Sequence, residues 1–311
     1  MDTLPREAWI GVVALLGLLV GSFLNVVVHR LPLEGESISK PARSRCPACR
    51  ATLSWRENIP LVSWIVQRAR CRHCGASIHW RYPLIEAANA LLWGLAAAMA
   101  PEPVSVVTLV WAVALSGLVV ASAVDFERFE IPDEISIGGM VLGPLASLCV
   151  PALHGDPVRA LQDWTVYGWM LREGHGPHFA AVSSSLAGLV VGGGVLLAIG
   201  WVGERLYGRD AMGLGDVKLL AAGGALVGPG GALAALVVAS FCASLAGVAN
   251  MARFACFLRR RCAARGRSEG LSWTLRVARV AGRYLPFGPY LAIGLGIVLL
   301  AWKDVERLLA P

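Results

Sequence analysis

The 311-residue sequence is poor in charge: Asp, Glu, Lys and Arg make up only 16% of it, against about 25% in an ordinary soluble domain. It also lacks repeats. Its 35 glycines show no period of three and 56% of its residues are hydrophobic, which excludes a collagen-like chain and intrinsic disorder. A disulfide framework is missing too. Of eight cysteines, Cys149, Cys242, Cys256 and Cys262 lie in or beside hydrophobic stretches, and the other four form two close pairs in one basic loop. The first apolar run has no basic segment before it and no small-residue cleavage site after it, and so reads as a retained helix, not a signal peptide. What is abundant is apolar sequence, more than one soluble core hides and enough for eight spans of about 20 residues each.

The spans are expected at residues 9–28, 84–100, 104–124, 135–152, 181–202, 217–227, 232–258 and 287–302, the sixth short and the seventh long. Breaks come from Pro101-Glu102-Pro103, from Gly228-Pro229-Gly230-Gly231 and from Pro286. The fold class is therefore an all-α polytopic membrane protein with a small loop domain. Residues 1–29 form the first transmembrane helix and residues 30–82 a cytoplasmic loop. Residues 83–302 form a multi-span domain and residues 303–311 a short external tail. The net charge of +7 is read as topological, with no nucleic-acid partner implied. Ten Lys/Arg lie between Arg30 and Arg81 and eight between Arg259 and Arg283. Eight crossings with both termini outside place these two stretches in the cytoplasm and leave only Arg6, Arg159, Arg172, Lys303 and Arg307 outside. In the external loop of residues 153–180, Trp164, Tyr167 and Trp169 suit the membrane interface. His154, His175 and His178 are expected to be ordinary loop residues, and Asp156 and Asp163 ordinary loop charges.

The first cytoplasmic loop contains Cys46, Cys49, Cys71 and Cys74 as two C-x2-C pairs. A two-residue gap turns both thiolates of a pair toward one ion, and two such turns complete a tetrahedral site. The expectation is one structural Zn2+ that folds a loop too small to build its own core. A redox dithiol or unliganded thiols are the alternatives; His73 and His79 are left out of the shell.

Ionisable groups at membrane spans are costly and each calls for a functional account. Asp133 follows Pro132 and is expected to cap a helix. Glu127, Glu130 and Glu134 form a solvated acidic rim. Asp125 ends the third span and Asp216 opens the sixth, at matching depth on the cytoplasmic face. Two carboxylates that meet across helices share one proton, so one activates water while the other donates to a peptide carbonyl. Asp216 alone also reads as a helix cap with Lys218 as a snorkelling neighbour. Gly213 and Gly215 permit close approach and non-helical angles, which would let an extended substrate pair there.

In ordered blocks the chain resembles the bacterial prepilin peptidases, bifunctional leader peptidase/N-methyltransferases of the GxGD class of membrane aspartyl proteases. The blocks are GSFLNVVVHRLP (21–32), the two CxxC pairs, NIPLVSW (58–64), GASIHWRYPLIE (75–86), DFERFEIPD (125–133), GLGDVKLLA (213–221) and PFGPYLA (286–292). The resemblance implies that Asp125 and Asp216 are the catalytic pair and that Asp133 is not a member of it. It implies cleavage of type IV prepilins or type II secretion pseudopilins after a glycine, between a basic leader and a hydrophobic helix, in the bacterial inner membrane. It also implies N-methylation of the new terminus from S-adenosyl-L-methionine, for which no glycine-rich strand-to-helix fingerprint is present and no residues are assigned. Of the alternatives, a transporter or channel with a carboxylate proton relay leaves the cysteine loop unexplained, and no inverted repeat supports it. An inactive assembly protein leaves the aspartate pair unexplained. The basic stretch 259–283 is read as topological charge, with contact to anionic lipid as a second role.

Overall fold

A computed structural model describes residues 4–33, 43–155, 165–208, 212–264 and 286–309. The nine helices among them are α1 (Arg6–Arg30), α2 (Val62–Val66), α3 (Arg81–Met99), α4 (Val106–Arg128), α5 (Asp133–Cys149), α6 (Val166–Arg172), α7 (Pro177–Tyr207), α8 (Leu214–Ala264) and α9 (Gly288–Leu309). No strand occurs among the described residues, only two isolated bridges, Arg45–Thr52 and Arg70–Ser77. α1, α4, residues 177–206 and residues 214–258 are long and apolar enough to cross a membrane, and α9 carries a shorter apolar stretch.

Each expected apolar run falls in a helical arm, because α8 is two arms. Gly228 has φ 75° and ψ 176° and Pro229 follows it, so the helical hydrogen bonds break there. Local chemistry sets the other ends. The Ser105 side chain accepts from the Thr108 N–H and caps α4; Pro177 occupies the first turn of α7, and Gly208 closes it in the left-handed conformation. α9 continues past Trp302 to Leu309, with a non-helical residue at Ala301.

The helices pack through small residues, as bilayer helices do. α7 and α8 touch backbone to backbone: a Cβ on Gly188 would meet the Gly224 oxygen at 2.0 Å. α1, α3 and α4 are tied by a buried polar chain. Trp93 Nε1 donates to Ser116 Oγ (2.9 Å), Ser116 donates to Asn89 Oδ1 (2.8 Å), and Asn89 Nδ2 donates to the Gly17 carbonyl (2.7 Å). Leu15, Leu19, Phe23, Leu91, Val113 and Val190 point outward from these helices, as a lipid-facing surface requires.

The segment expected as an external loop differs from expectation. Residues 151–154 form a 3-10 turn and α6 follows, with Tyr167 buried and Trp169 exposed. His154 is a packed residue here. Its Nε2 lies 2.9 Å from Ser147 Oγ, its ring tilts against Tyr167, and burial pushes its pKa down to about 4. His175 is exposed in the turn before α7, as a loop residue is expected to be, whereas His178 is exposed in the first turn of α7 with its Nδ1 2.7 Å from the Leu148 carbonyl oxygen. Asp156, Asp163, Trp164 and residues 265–283 of the second basic stretch lie outside the described residues.

Candidate aspartate site and cysteine centre

Four helix ends meet at one end of the bundle: the C-terminus of α4 and the N-termini of α5, α8 and α9. α4 stops because Phe129 turns left-handed (φ 58°, ψ 35°). The chain then runs through Glu130, Ile131 and Pro132 before α5 begins. Asp125, one turn from the end of α4, is buried at 6% exposure; Asp216 sits half-buried in the first turn of α8. Both line one cavity of about 340 Å3, together with Phe129, Glu130, Ile131, Asp133 and Gly213–Gly215. Ninety-one positions apart in sequence, the two carboxylates are close enough for their charges to interact.

Their environments differ. Asp125 Oδ2 accepts a buried 2.9 Å hydrogen bond from the Gly288 backbone N–H, at the start of α9. A donor aimed at a carboxylate favours its ionised form, and a helix N-terminus adds its positive dipole end. Ile131 is the spacer of the site: a Cβ on Gly215 would meet Ile131 Cβ at 3.1 Å, and one on Gly288 would meet Ile131 Cδ1 at 3.1 Å.

Three expectations are corrected here. Asp133 makes no side-chain capping bond; it is the first residue of α5 and its Oδ1 accepts from Lys218 Nζ at 2.7 Å, in the wall of the cavity. Lys218 therefore serves Asp133, not Asp216, because the two-residue step from 216 to 218 turns it about 200° round α8, away from the aspartate and toward α5. The helix already begins at Leu214, so Gly215 and Asp216 are helical. Close approach to Ile131, not an unusual backbone angle, is what requires glycine at 215. Of the acidic rim, all three members are exposed, but only Glu130 lines the cavity, and Glu127 pairs with Arg81 of α3.

The structure brings Cys46, Cys49, Cys71 and Cys74 together, with ligand atoms within 4.8 Å of one another. No other such His/Cys/Asp/Glu group occurs among the described residues. Cys46 and Cys74 sulfurs lie 3.9 Å apart, close to the ~3.8 Å edge of a tetrahedron with metal–sulfur bonds of about 2.3 Å. The Cys49 N–H pulls the Cys46 thiol down to about 7, while desolvation and the three neighbouring thiols push Cys74 up to about 11. The four thiols thus fit a four-coordinate metal.

A longer signal lay unread in the sequence. Arg45-Cys46-Pro47-Ala48-Cys49-Arg50-Ala51-Thr52 and Arg70-Cys71-Arg72-His73-Cys74-Gly75-Ala76-Ser77 are one repeat of eight positions. Each copy folds alike. Cys46 N–H donates to Ala51 and Cys71 N–H to Ala76; Arg50 and Gly75 both have positive φ; in each pair the first cysteine is buried and the second exposed. Glu86 is a second residue that sequence reasoning missed. Buried in α3, it accepts from the Leu61 N–H at 2.8 Å and so fastens the cysteine loop to the bundle.

Residues 15–100 match the bacterial peptidase A24 N-terminal domain, and residues 111–248 match the type IV leader peptidase family. Three relatives carry the name prepilin leader peptidase/N-methyltransferase. The Stutzerimonas stutzeri protein is 31% identical over 93% of this chain and 89% of its own length. The Klebsiella pneumoniae protein is 34% identical over 71% of this chain and 86% of its own, and the Aeromonas hydrophila protein 29% identical over 95% and 91%. No solved structure matches the chain.

Proposed function

The chain belongs to the type IV leader peptidase family, and we propose that it removes the leader peptide of a prepilin or pseudopilin and N-methylates the residue this exposes. It is a multi-pass inner-membrane protein. The orientation we propose places both termini outside and the cysteine loop and the aspartate cavity on the cytoplasmic face, which follows from the basic loops. The observation that carries the protease reading is the shared cavity of Asp125 and Asp216, with a backbone donor on only one of them.

In this reading Asp125 is the carboxylate, held by the Gly288 N–H, and Asp216 carries the proton. Asp125 takes a proton from water as the water oxygen adds to the scissile carbonyl carbon. Asp216 donates its proton to the carbonyl oxygen, giving a neutral tetrahedral diol. Collapse of the diol returns a hydroxyl proton to Asp216 and breaks the C–N bond, and the amine leaves with the proton that Asp125 had taken. Glu130 beside the cavity suits the basic leader, while Lys218 neutralises Asp133 and keeps a third free carboxylate away from the pair.

Cys46, Cys49, Cys71 and Cys74 would hold a zinc ion in a closed, structural role. For methylation the proposed donor is S-adenosyl-L-methionine. No Rossmann-type strand-to-helix turn exists among the described residues, which have no strand, so no residues are assigned to it.

Co-expression with a prepilin tests the reading. Wild type should convert it to the shorter mature form, and Asp125→Asn and Asp216→Asn should each leave it uncut on a gel. If both variants still cleave, the two-aspartate mechanism is wrong.

A further inference from the structure

We propose that the cysteine loop is not suspended in the cytoplasm but lies on the bilayer, with α2 inserted edge-on into an anionic lipid surface. Three independent observations lead there: an unpartnered apolar face, its depth, and the charge around it.

The face belongs to α2. Its sequence, Val62-Ser63-Trp64-Ile65-Val66, places Val62, Ile65 and Val66 at i, i+3 and i+4, on one side of the helix. They are 53%, 68% and 63% exposed. Trp64 points the other way, its Nε1 bonded to the Ile78 carbonyl at 3.2 Å. A short helix that turns its tryptophan to the protein and three branched aliphatic residues outward has its apolar side toward something other than the described residues of this chain. Trp55, in the turn that α2 contacts, and Trp80, just before α3, are also exposed.

The depth follows from the anchor. α2 begins immediately after Leu61, whose N–H is held by Glu86, and whose backbone is forced to φ 59° at that point. Glu86 is five residues inside α3, about 7.5 Å along its axis from Arg81 at a 1.5 Å rise per residue. α3 packs along α1, which is long and apolar enough to cross a membrane, and its own Leu84 and Leu91 are exposed on the outward side. A helix pinned at that height is level with the outer turns of the bundle. Interfacial helices bury their apolar faces about 5–10 Å into the boundary between headgroups and acyl chains, and the Glu86 anchor holds α2 a comparable distance inside the end of α3.

The charge selects the lipid. Between residues 43 and 80 there are seven arginines and a single acidic residue, Glu57. That carboxylate is engaged by the Ser54 N–H and hydroxyl and lies 3.5 Å from His73. Arg56 rests over the Trp55 ring at 5.2 Å, and Arg68 and Arg70, both exposed, follow α2 directly. Each such cation near an anionic leaflet is worth about 1 kcal/mol, and guanidinium groups beside exposed tryptophans suit the headgroup layer.

The test uses the full chain in lipid nanodiscs. A fluorescent amino acid is introduced by stop-codon suppression at Val62, Ile65 or Val66, and at Ala48 on the exposed side of the first cysteine pair as the reference. Lipids brominated on the acyl chain are the quencher. We expect probes at Val62, Ile65 and Val66 to be quenched roughly twofold or more above the Ala48 probe, as for groups 5–10 Å deep. Quenching should rise when phosphatidylglycerol replaces half of the phosphatidylcholine, and Arg68→Gln with Arg70→Gln should remove that rise. Quenching at these positions no stronger than at Ala48, or indifferent to phosphatidylglycerol, overturns the proposal. So does a change in probe emission that appears only when a prepilin is added, with no bromolipid quenching before it, which would assign the face to the substrate instead.

Discussion

A Cβ at position 288 would stand 2.6 Å from Asp125 Oδ2, closer than a real Cβ contact. Only glycine lets the backbone N–H reach the carboxylate. Gly288→Ala should therefore displace the Asp125 side chain and lower kcat by about 10²-fold, the cost of a misplacement on the order of 1 Å. KM should stay near wild type, because the change moves the reacting carboxylate, while the melting temperature should fall, because Gly288 is buried against Ile131 at the edge of the main core. Detergent-solubilised enzyme with a prepilin fragment gives all three values, and an unchanged kcat would separate Gly288 from the chemistry. The two aspartates were legible in the sequence because an ionisable residue against an apolar run is rare and expensive. Gly288 was not. A backbone donor leaves no side-chain signature, and PFGPYLA reads equally well as a plain helix start. Asp133 was misread for a related reason: a carboxylate after proline looks like a cap until its partner, Lys218, is seen to arrive from another helix.

At the scale of elements, the cysteine pairs were legible and their surroundings were not. C-x2-C spacing reports the turn that makes it, so the metal centre could be anticipated, whereas five residues of α2 are too few to show a period. Cys46→Ser should abolish retention of zinc in purified enzyme, measured by atomic emission. It should also expose residues 43–80 to limited proteolysis, since structural zinc supplies about 10–16 kcal/mol of apparent binding energy to small modules. Unchanged zinc content would remove the metal assignment. Glu86→Ala acts on the other end of the same loop. It strands the Leu61 N–H, a loss of about 1–3 kcal/mol for a buried group left unpaired. Hydrogen exchange should quicken at residues 59–66 while the zinc stays bound. Exchange that is equally fast at the cysteine pairs would show that Glu86 supports the whole loop and not its attachment.

For the whole molecule, eight apolar runs were readable because lipid demands continuous hydrophobicity, and all eight lie in helical arms. Their neighbours were unreadable, since a leucine facing lipid and one facing a helix are the same letter; close glycine contacts such as Gly188 with Gly224 set the pairing instead. His154 shows this too, since its sequence context is a loop while its half-buried ring packs on Ser147 and Tyr167. The imidazole is held near 4 in the fold against about 6.5 in the unfolded chain. The unfolded state therefore takes up a proton first as pH falls. Stability should be full above about pH 6.5 and decline toward pH 4 by up to about 3 kcal/mol. Thermal unfolding followed from pH 7 to pH 4 should show this decline, and His154→Gln should flatten it; an equally steep decline in the variant would assign it to other groups. The break at Gly228 reaches further still. The arm of α8 that carries Asp216, Leu214–Val227, is about fourteen residues and so about 21 Å long, some 9 Å short of the roughly 30 Å hydrocarbon layer. The arm is enclosed by its neighbours, with only Leu214 exposed, so protein and not lipid takes up that deficit. The height of Asp216 in the bundle is thereby fixed by the packing of α8 against α5, α7 and α9, whatever the thickness of the surrounding bilayer.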